Sequence, residues 1–470
     1  MSLPGVTVQK KDGGLGSIPE SADGKRGIVG VCTSGTPNQI YILVDPGTVV
    51  GVLGRGPLSD AAITQLREGG GVIYAVPAEA SIDGTITPDV GNPSSPAVTL
   101  GTTPTEALLV HAKITKSGAL GAGQFQFSLD GGDSWSRSYT LAASFAIPGR
   151  GLTLTFAAGS YTVGATYKWT VTAPTASIGD LQTAAEVLKD SPYLMEWIHF
   201  AQPGDNSLWA VAASVVEDCF QSYKYTHAIC EAPAPGANVN TWVSTTLTGY
   251  RNSFQSRDVS VVASWAEVVD PTGLQVERNV ASKYIGRLSK YGLADNPAHV
   301  GAGAINGIQV PSPFHTGTYG KASDYNNGHA LALDELGYVA LMQHKGRAGY
   351  FFVEGRTMAD PSSDYSNIMN VRVMNKVMTL SRQVWLDQVQ GKVDPTNIEA
   401  SLAYMVAKSN AVLNLMAARG ELIGASISIP AGQDVLSSHQ IIVEIRVIPF
   451  GYTREIILTV GYENPLLQAA

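Results

Sequence analysis

The sequence predicts a multidomain protein of α/β plus α+β class: an α/β domain, an all-β sandwich inserted into it, and a C-terminal α+β unit. Three observations predict this. Short apolar runs alternate with helix-like segments before residue 93 and after residue 176. Between them, Thr, Ser, Gly and aromatic residues dominate in short period-two runs. From residue 346 onward, two long helical stripes precede alternating apolar segments.

Residues 1–26 read as an extended N-terminal arm. Leu3, Val6 and Val8 mark a strand-like tip, and the following stretch to Lys25 is rich in glycine and poor in large apolar residues, so it cannot build a core alone. Residues 27–93 and 176–345 form the discontinuous α/β domain. Its strands are Gly27–Cys32, Gln39–Val44, Gly71–Val76, Tyr193–Phe200, His227–Glu231 and Val259–Ala263, with helices over Ser59–Leu66 and near 179–190, 206–222 and 238–253. Wholly apolar strands alternating with helices imply a mainly parallel sheet covered on both faces.

Residues 94–175 are the inserted sandwich. Leu109–Ile114, Gln124–Leu129, Leu152–Phe156 and Tyr167–Val171 alternate apolar and polar positions, and Pro/Ser-rich edges bound the segment. Residues 346–470 are the last unit. The segment 366–390 places Ile368, Val371, Met374, Met378 and Trp385 on one helical stripe, which leaves Arg372, Lys376 and Arg382 on a polar side. Thr396-x-x-Glu399 reads as a capping box for a second helix ending before Gly420. A closing hairpin is expected between a strand with Ile441, Val443, Ile445 and Val447 and one with Ile456, Leu458, Val460 and Tyr462, with Pro449–Thr453 as its turn.

Charged residues make up 15% and hydrophobic ones 44% of the 470 residues, which argues against disorder and suits a subunit that hides surface against copies of itself. The net charge is −8, from 31 Lys and Arg against 39 Asp and Glu, and no basic run occurs, so direct nucleic-acid binding is not expected. Three cysteines in apolar surroundings read as free thiols of a reducing compartment. The polar, Gly-rich start shows no signal peptide, and no apolar run reaches the ~18 residues of a membrane span.

Chemical motifs are sparse. Gly355-Arg356-Thr357-Met358-Ala359-Asp360-Pro361 mimics a subtilisin-type nucleophile turn with Thr357 in the nucleophile's place, but no matching His or Asp motif accompanies it. Ser128 to Trp135 fits a single Asp-box, a hairpin turn that sialidases carry several times over. The Gly-rich stretches match neither a dinucleotide fingerprint nor a P-loop, and the histidines lack the spacing of a metal site. No catalytic residue, cofactor or metal is expected.

Several stretches resemble the conserved end of contractile phage tail sheath proteins. They are Gly349–Met358, Asn370–Val377, Ala418–Gly424 and Val443–Pro449 with Glu455–Val460, in the family's order; Leu3–Val6 and Gly69–Val76 resemble its opening strand and its Gly-Gly strand motif. The resemblance implies an α/β part of subtilisin-like topology without protease activity, and a non-enzymatic subunit of six-fold rings stacked around a tail tube. It implies contraction by outward sliding, and terminal arms that add strands to neighbouring subunits through Leu3, Val6, Val8, Ile456, Leu458 and Val460. Arg372, Lys376 and Arg382 would form a basic helix facing the tube. The implied partners are further copies of the chain, the tail tube, the baseplate and the tail terminator, in a virion or tailocin tail assembled in the bacterial cytoplasm. The alternatives are a peptidase-like α/β hydrolase and a sheath-like cap or terminator of the tail.

Overall fold

The computed structural model describes residues 22–317 and 320–462. Leu3, Val6 and Val8, and with them nearly all of the expected N-terminal arm, lie outside the described residues.

The centre is a six-stranded sheet in the order Val259–Val262, His227–Glu231, Trp197–Pro203, Arg26–Gly30, Ile73–Pro77, Tyr41–Leu43. Its first five strands are parallel and the short edge strand Tyr41–Leu43 is antiparallel. Alternate side chains enter different cores, as the pleat requires. Val29, Val76, Phe200, Cys230 and Val261 face the helices Ile178–Asp190 and Asn206–Gln221. Ile28, Ile73 and Ala75 face the helix Pro57–Gly69, while Trp197, Ile229 and Val262 pack toward the helix Ala281–Lys290. Burial on both faces is why these strands read as continuous apolar runs.

Strands of residues 86–171 form one three-stranded and one five-stranded antiparallel sheet, with a shared core between them. Along Leu108–Lys116, Leu108, Val110, Ala112 and Ile114 turn inward. A separate three-stranded sheet, Trp265–Val269 with Gln275–Asn279 and Ile308–Pro311, lies between the sandwich and the central sheet; its Val276 joins the sandwich core. The molecule is thus a mixed α/β protein with several sheets.

The C-terminal part is built on the helices Ile368–Leu386 and Ile398–Ala418. The first is buried almost all round. Ile368, Met369 and Val371 belong to the core beneath the central sheet; Val373, Val377 and Leu380 pack with Leu413 and Met416 of the second helix. The second helix is capped by Asn397, whose Oδ1 accepts the Ala400 N–H at 3.1 Å, one residue later than the expected Thr396 box. Thr396 instead donates its hydroxyl to Asp394 at 2.6 Å.

Candidate inter-subunit strand site

Two antiparallel strands, Gly424–Ser428 and Glu444–Ile448, form a sheet of their own, pairing Gly424 with Ile448 and Ser428 with Glu444. Ala425, Ile427, Ile445 and Val447 rest on the helix pair, while Ser426, Ser428, Glu444 and Arg446 face outward. A sheet this small is marginal without its helices. Its outer edges pair with no third strand among the described residues, so each presents backbone N–H and C=O groups able to receive one.

The expected partner of Glu444–Ile448 was the segment around Ile456. The structure corrects this: Ile456, Leu458 and Val460 form no strand and are 74%, 81% and 91% exposed. The presumed turn is a crossing instead. Tyr452 packs against the core beneath the central sheet and donates its hydroxyl to the Ala294 carbonyl. Arg454 reaches Asp334, a carboxylate 1% exposed that also holds Arg356 in a two-point fork, Nε to Oδ1 at 2.8 Å and Nη2 to Oδ2 at 3.1 Å. The chain is therefore carried onto the α/β body and cannot fold back. Beyond Arg454 the described residues form no helix or strand and leave their apolar side chains in water.

The basic helix is also corrected. Arg372 and Lys376 are 4% and 6% exposed and do not form an open face. Arg372 Nε meets Glu196 Oε1 at 2.5 Å, its Nη1 donates to the Gly292 carbonyl, and its guanidinium lies 5.2 Å from the Trp197 ring centroid. Lys376 Nζ bridges Glu421, at 2.7 Å, and Asp23. Because this helix is apolar on two sides, the stripe of Met374 and Met378 chosen from the sequence is only half buried, and the arginine and lysine turn toward the body. Arg382 is half buried with its guanidinium 3.8 Å from the Tyr223 ring centroid.

These pairs fix where the N-terminal segment joins the body. Asp23 is held by Lys376, and Gly24 donates its N–H to Glu196 Oε2 at 2.8 Å. Through Glu421 the same lysine ties this point to the turn leading into Gly424–Ser428, so the chain enters the body beside the open two-stranded sheet. Asp23, Asp334, Tyr452 and Arg454 carried no signal in the sequence that marks such anchors.

The remaining motifs resolve into structure. The Thr357 hydroxyl is buried, donates to the Tyr365 carbonyl at 2.6 Å and accepts the Ala359 N–H, so its proton is directed to the main chain. Asp130 of the Asp-box is buried and accepts from Ser128 and from the Ser134 amide and hydroxyl, which holds the turn. Cys32, Cys219 and Cys230 are free thiols. Burial pushes the first two up to about 11. Among the described residues there is no cluster of His, Cys, Asp and Glu suited to a metal ion, and no helix is long and apolar enough to cross a membrane.

The family models that match are the DUF2586 N-terminal domain over residues 3–356 and the DUF2586 C-terminal domain over residues 364–467. The chain belongs to the DUF2586 family. No curated protein sequence matches it. Among solved structures, a chain of the 6-fold-symmetrised cryo-EM structure of the anti-feeding prophage baseplate is similar, with 13% identity and a TM-score of 0.56 over 99% of this chain and 100% of that one. The sheath tail protein of Desulfitobacterium hafniense has 11% identity and a TM-score of 0.49, over 95% of this chain and all of its own. That of Listeria innocua has 11% identity and 0.48, over 92% and 96%. The DUF2586 chain thus shares its fold with a chain of the anti-feeding prophage baseplate structure.

Proposed function

We propose that this protein is the structural subunit of a contractile tail sheath. It assembles as stacked six-fold rings around a tail tube and contracts to drive that tube through an envelope. The observation that carries this reading is the pairing of an unpartnered donor with an unpartnered acceptor. The segment Ile456–Val460 leaves the body with its apolar residues exposed, and the sheet Gly424–Ser428/Glu444–Ile448 has edges that pair with no third strand among the described residues. The donor cannot reach its own hairpin position, so it serves a neighbouring copy. Leu3, Val6 and Val8 are the second donated strand, leaving from a root clamped beside that sheet.

Each ladder hydrogen bond contributes roughly 0.5–1.5 kcal/mol net. A five-residue strand therefore contributes several kcal/mol, before burial of its isoleucine, leucine and valine side chains at about 1.5–3 kcal/mol each. Rigid-body sliding that keeps such strands paired would let rings expand without falling apart. The fold shared with a chain of a six-fold-symmetrised baseplate structure supports this, as does the sheath resemblance of Gly349–Met358 and Ala418–Gly424. The same reading includes the subtilisin-like topology of the α/β part without protease activity. Its partners are further copies of the chain, the tail tube, the baseplate and the terminator, in a tail particle assembled in a bacterial cytoplasm.

The test is truncation followed by electron microscopy. The intact chain is expected to form long tubes. Chains lacking residues 455–470, or residues 1–21, keep their anchors at Arg454 and Asp23; they are expected to stay folded, with unchanged melting, yet form none. Normal tubes from both truncations would sink the strand-exchange reading, and isolated rings from the intact chain would indicate a cap protein.

A further inference from the structure

The central sheet reverses its direction of growth at one point. From Arg26–Gly30 the chain builds outward to Ile73–Pro77, then returns to lay Trp197–Pro203 on the opposite side of Arg26–Gly30. At such a reversal the connections leave to opposite sides, and a crevice opens beyond the carboxyl ends of the two strands. That is where open α/β sheets bind ligands. Here the crevice is a cavity of about 320 Å³. Val31 and Ala201 line it from the strand ends, Ala107 and Pro174 from the sandwich, and Trp265 and Val268 from the intervening three-stranded sheet. Its size and mostly apolar lining are those of a small-molecule site.

The polar groups of the cavity select the sign of a ligand. The N-terminus of the helix Pro57–Gly69 borders it, and such an end ordinarily favours an anion. In this chain Asp60 sits in that first turn, and Glu106, Glu231 and Glu277 line the same space. Arg150 and Arg55 pair with Glu106, Arg278 lies 3.8 Å from Asp60, and Lys283 is taken by Glu68 at 3.2 Å. Glu231 is different. It is the last residue of its strand, 9% exposed, and its Oε1 meets His199 Nε2 at 3.1 Å. The other ring nitrogen of His199 faces the Gln65 amide nitrogen at 3.0 Å. No Lys or Arg pairs with Glu231 among the described residues, and its Oε2 has no hydrogen-bond partner there. Among the described residues the Glu277 carboxylate accepts only the Ser312 hydroxyl.

We propose that this switch-point cavity binds a small organic cation, an alkyl- or arylammonium, whose ammonium group sits on Glu231 and whose carbon skeleton lies along Trp265 and the apolar walls. A desolvated carboxylate makes charge-assisted hydrogen bonds to an ammonium, and an indole face adds cation–π attraction. Anions of the same shape are repelled by the carboxylates. An occupant would touch the sandwich, the central sheet and the three-stranded sheet at once, and so hold the sandwich to the body.

Calorimetric titration of the full-length protein tests this, with 2-phenylethylamine set beside 2-phenylethanol and 3-phenylpropionate. The amine is expected to bind saturably, the alcohol about tenfold more weakly or less, and the acid not at all. Glu231→Gln is expected to weaken the amine by about tenfold or more at an unchanged melting temperature. Should that variant unfold, Ala107→Leu, which fills the cavity from the sandwich side, is expected to abolish amine binding in a folded protein. No saturable signal with the amine, equal binding of amine and alcohol, or full amine affinity in both folded variants would each overturn the assignment.

Discussion

Replacing Arg372 with methionine separates a buried structural cation from a tube-facing one. In the structure Arg372 and Glu196 have side chains 4% and 6% exposed and meet at 2.5 Å. Methionine keeps the length of the side chain and some of its packing on Trp197, but leaves Glu196 as a buried carboxylate with the Gly24 N–H as its remaining side-chain hydrogen bond and Arg26 as a more distant counter-charge. Removing one member of such a pair costs about 3–5 kcal/mol, because the survivor keeps its desolvation penalty without the cation that hydrogen-bonds it. For a cooperative unit of about 150–250 residues each kcal/mol lowers the melting temperature by about 2–4 °C. The expected drop is therefore roughly 6–20 °C. Scanning calorimetry on the form lacking residues 455–470 would read it without interference from assembly. Adding Glu196→Gln should recover part of the loss, since the stranded charge is then gone. Melting within about 1 °C of the parent, together with lost association with a tail tube, would refute the argument and return Arg372 to an exposed face.

Further outcomes follow from other sites. Phe125 is fully buried, with ring centroids 5.2 Å from Phe145 and 4.7 Å from Phe156. Phe125→Ala should cost about 3–5 kcal/mol and speed protease cleavage within residues 94–175 while leaving the α/β body resistant; uniform loss of protection would show that the sandwich does not open by itself. His227 is buried with Nε2 2.9 Å from the Ser260 hydroxyl, and burial lowers its pKa from 6.5 to about 3. The unfolded chain therefore takes up this proton first. Stability is full above pH 6.5 and falls, by at most about 1.4 kcal/mol per pH unit, toward pH 3. Denaturant titrations at stepped pH should show this slope, and His227→Gln should flatten it. Thr357→Val removes the buried hydroxyl from the Tyr365 carbonyl and should cost about 1–3 kcal/mol without changing peptide hydrolysis; a Thr357-dependent peptidase activity would favour an enzyme instead.

The sequence by itself determined what depends on local periodicity. Ile28, Val29, Ile73 and Val76 read as wholly buried strand because both faces of the sheet are covered. Val110, Ala112 and Ile114 read as one face of a strand because their neighbours point outward. The long helices were legible for the same reason, although the burial of Ile368–Leu386 on two sides hid which way its charges turn. Only the tertiary structure decided matters that join distant residues. Arg372 meets Glu196 across 176 residues, and Arg454 meets Asp334 across 120. The alternation of Ile456, Leu458 and Val460 states that the segment suits a strand, not which strand completes it. The anchors at Tyr452 and Arg454 remove the adjacent partner. A side-chain period is set by the backbone within a few residues, whereas the cost of burying a charge, and the reach of a tethered chain, depend on what the fold brings alongside.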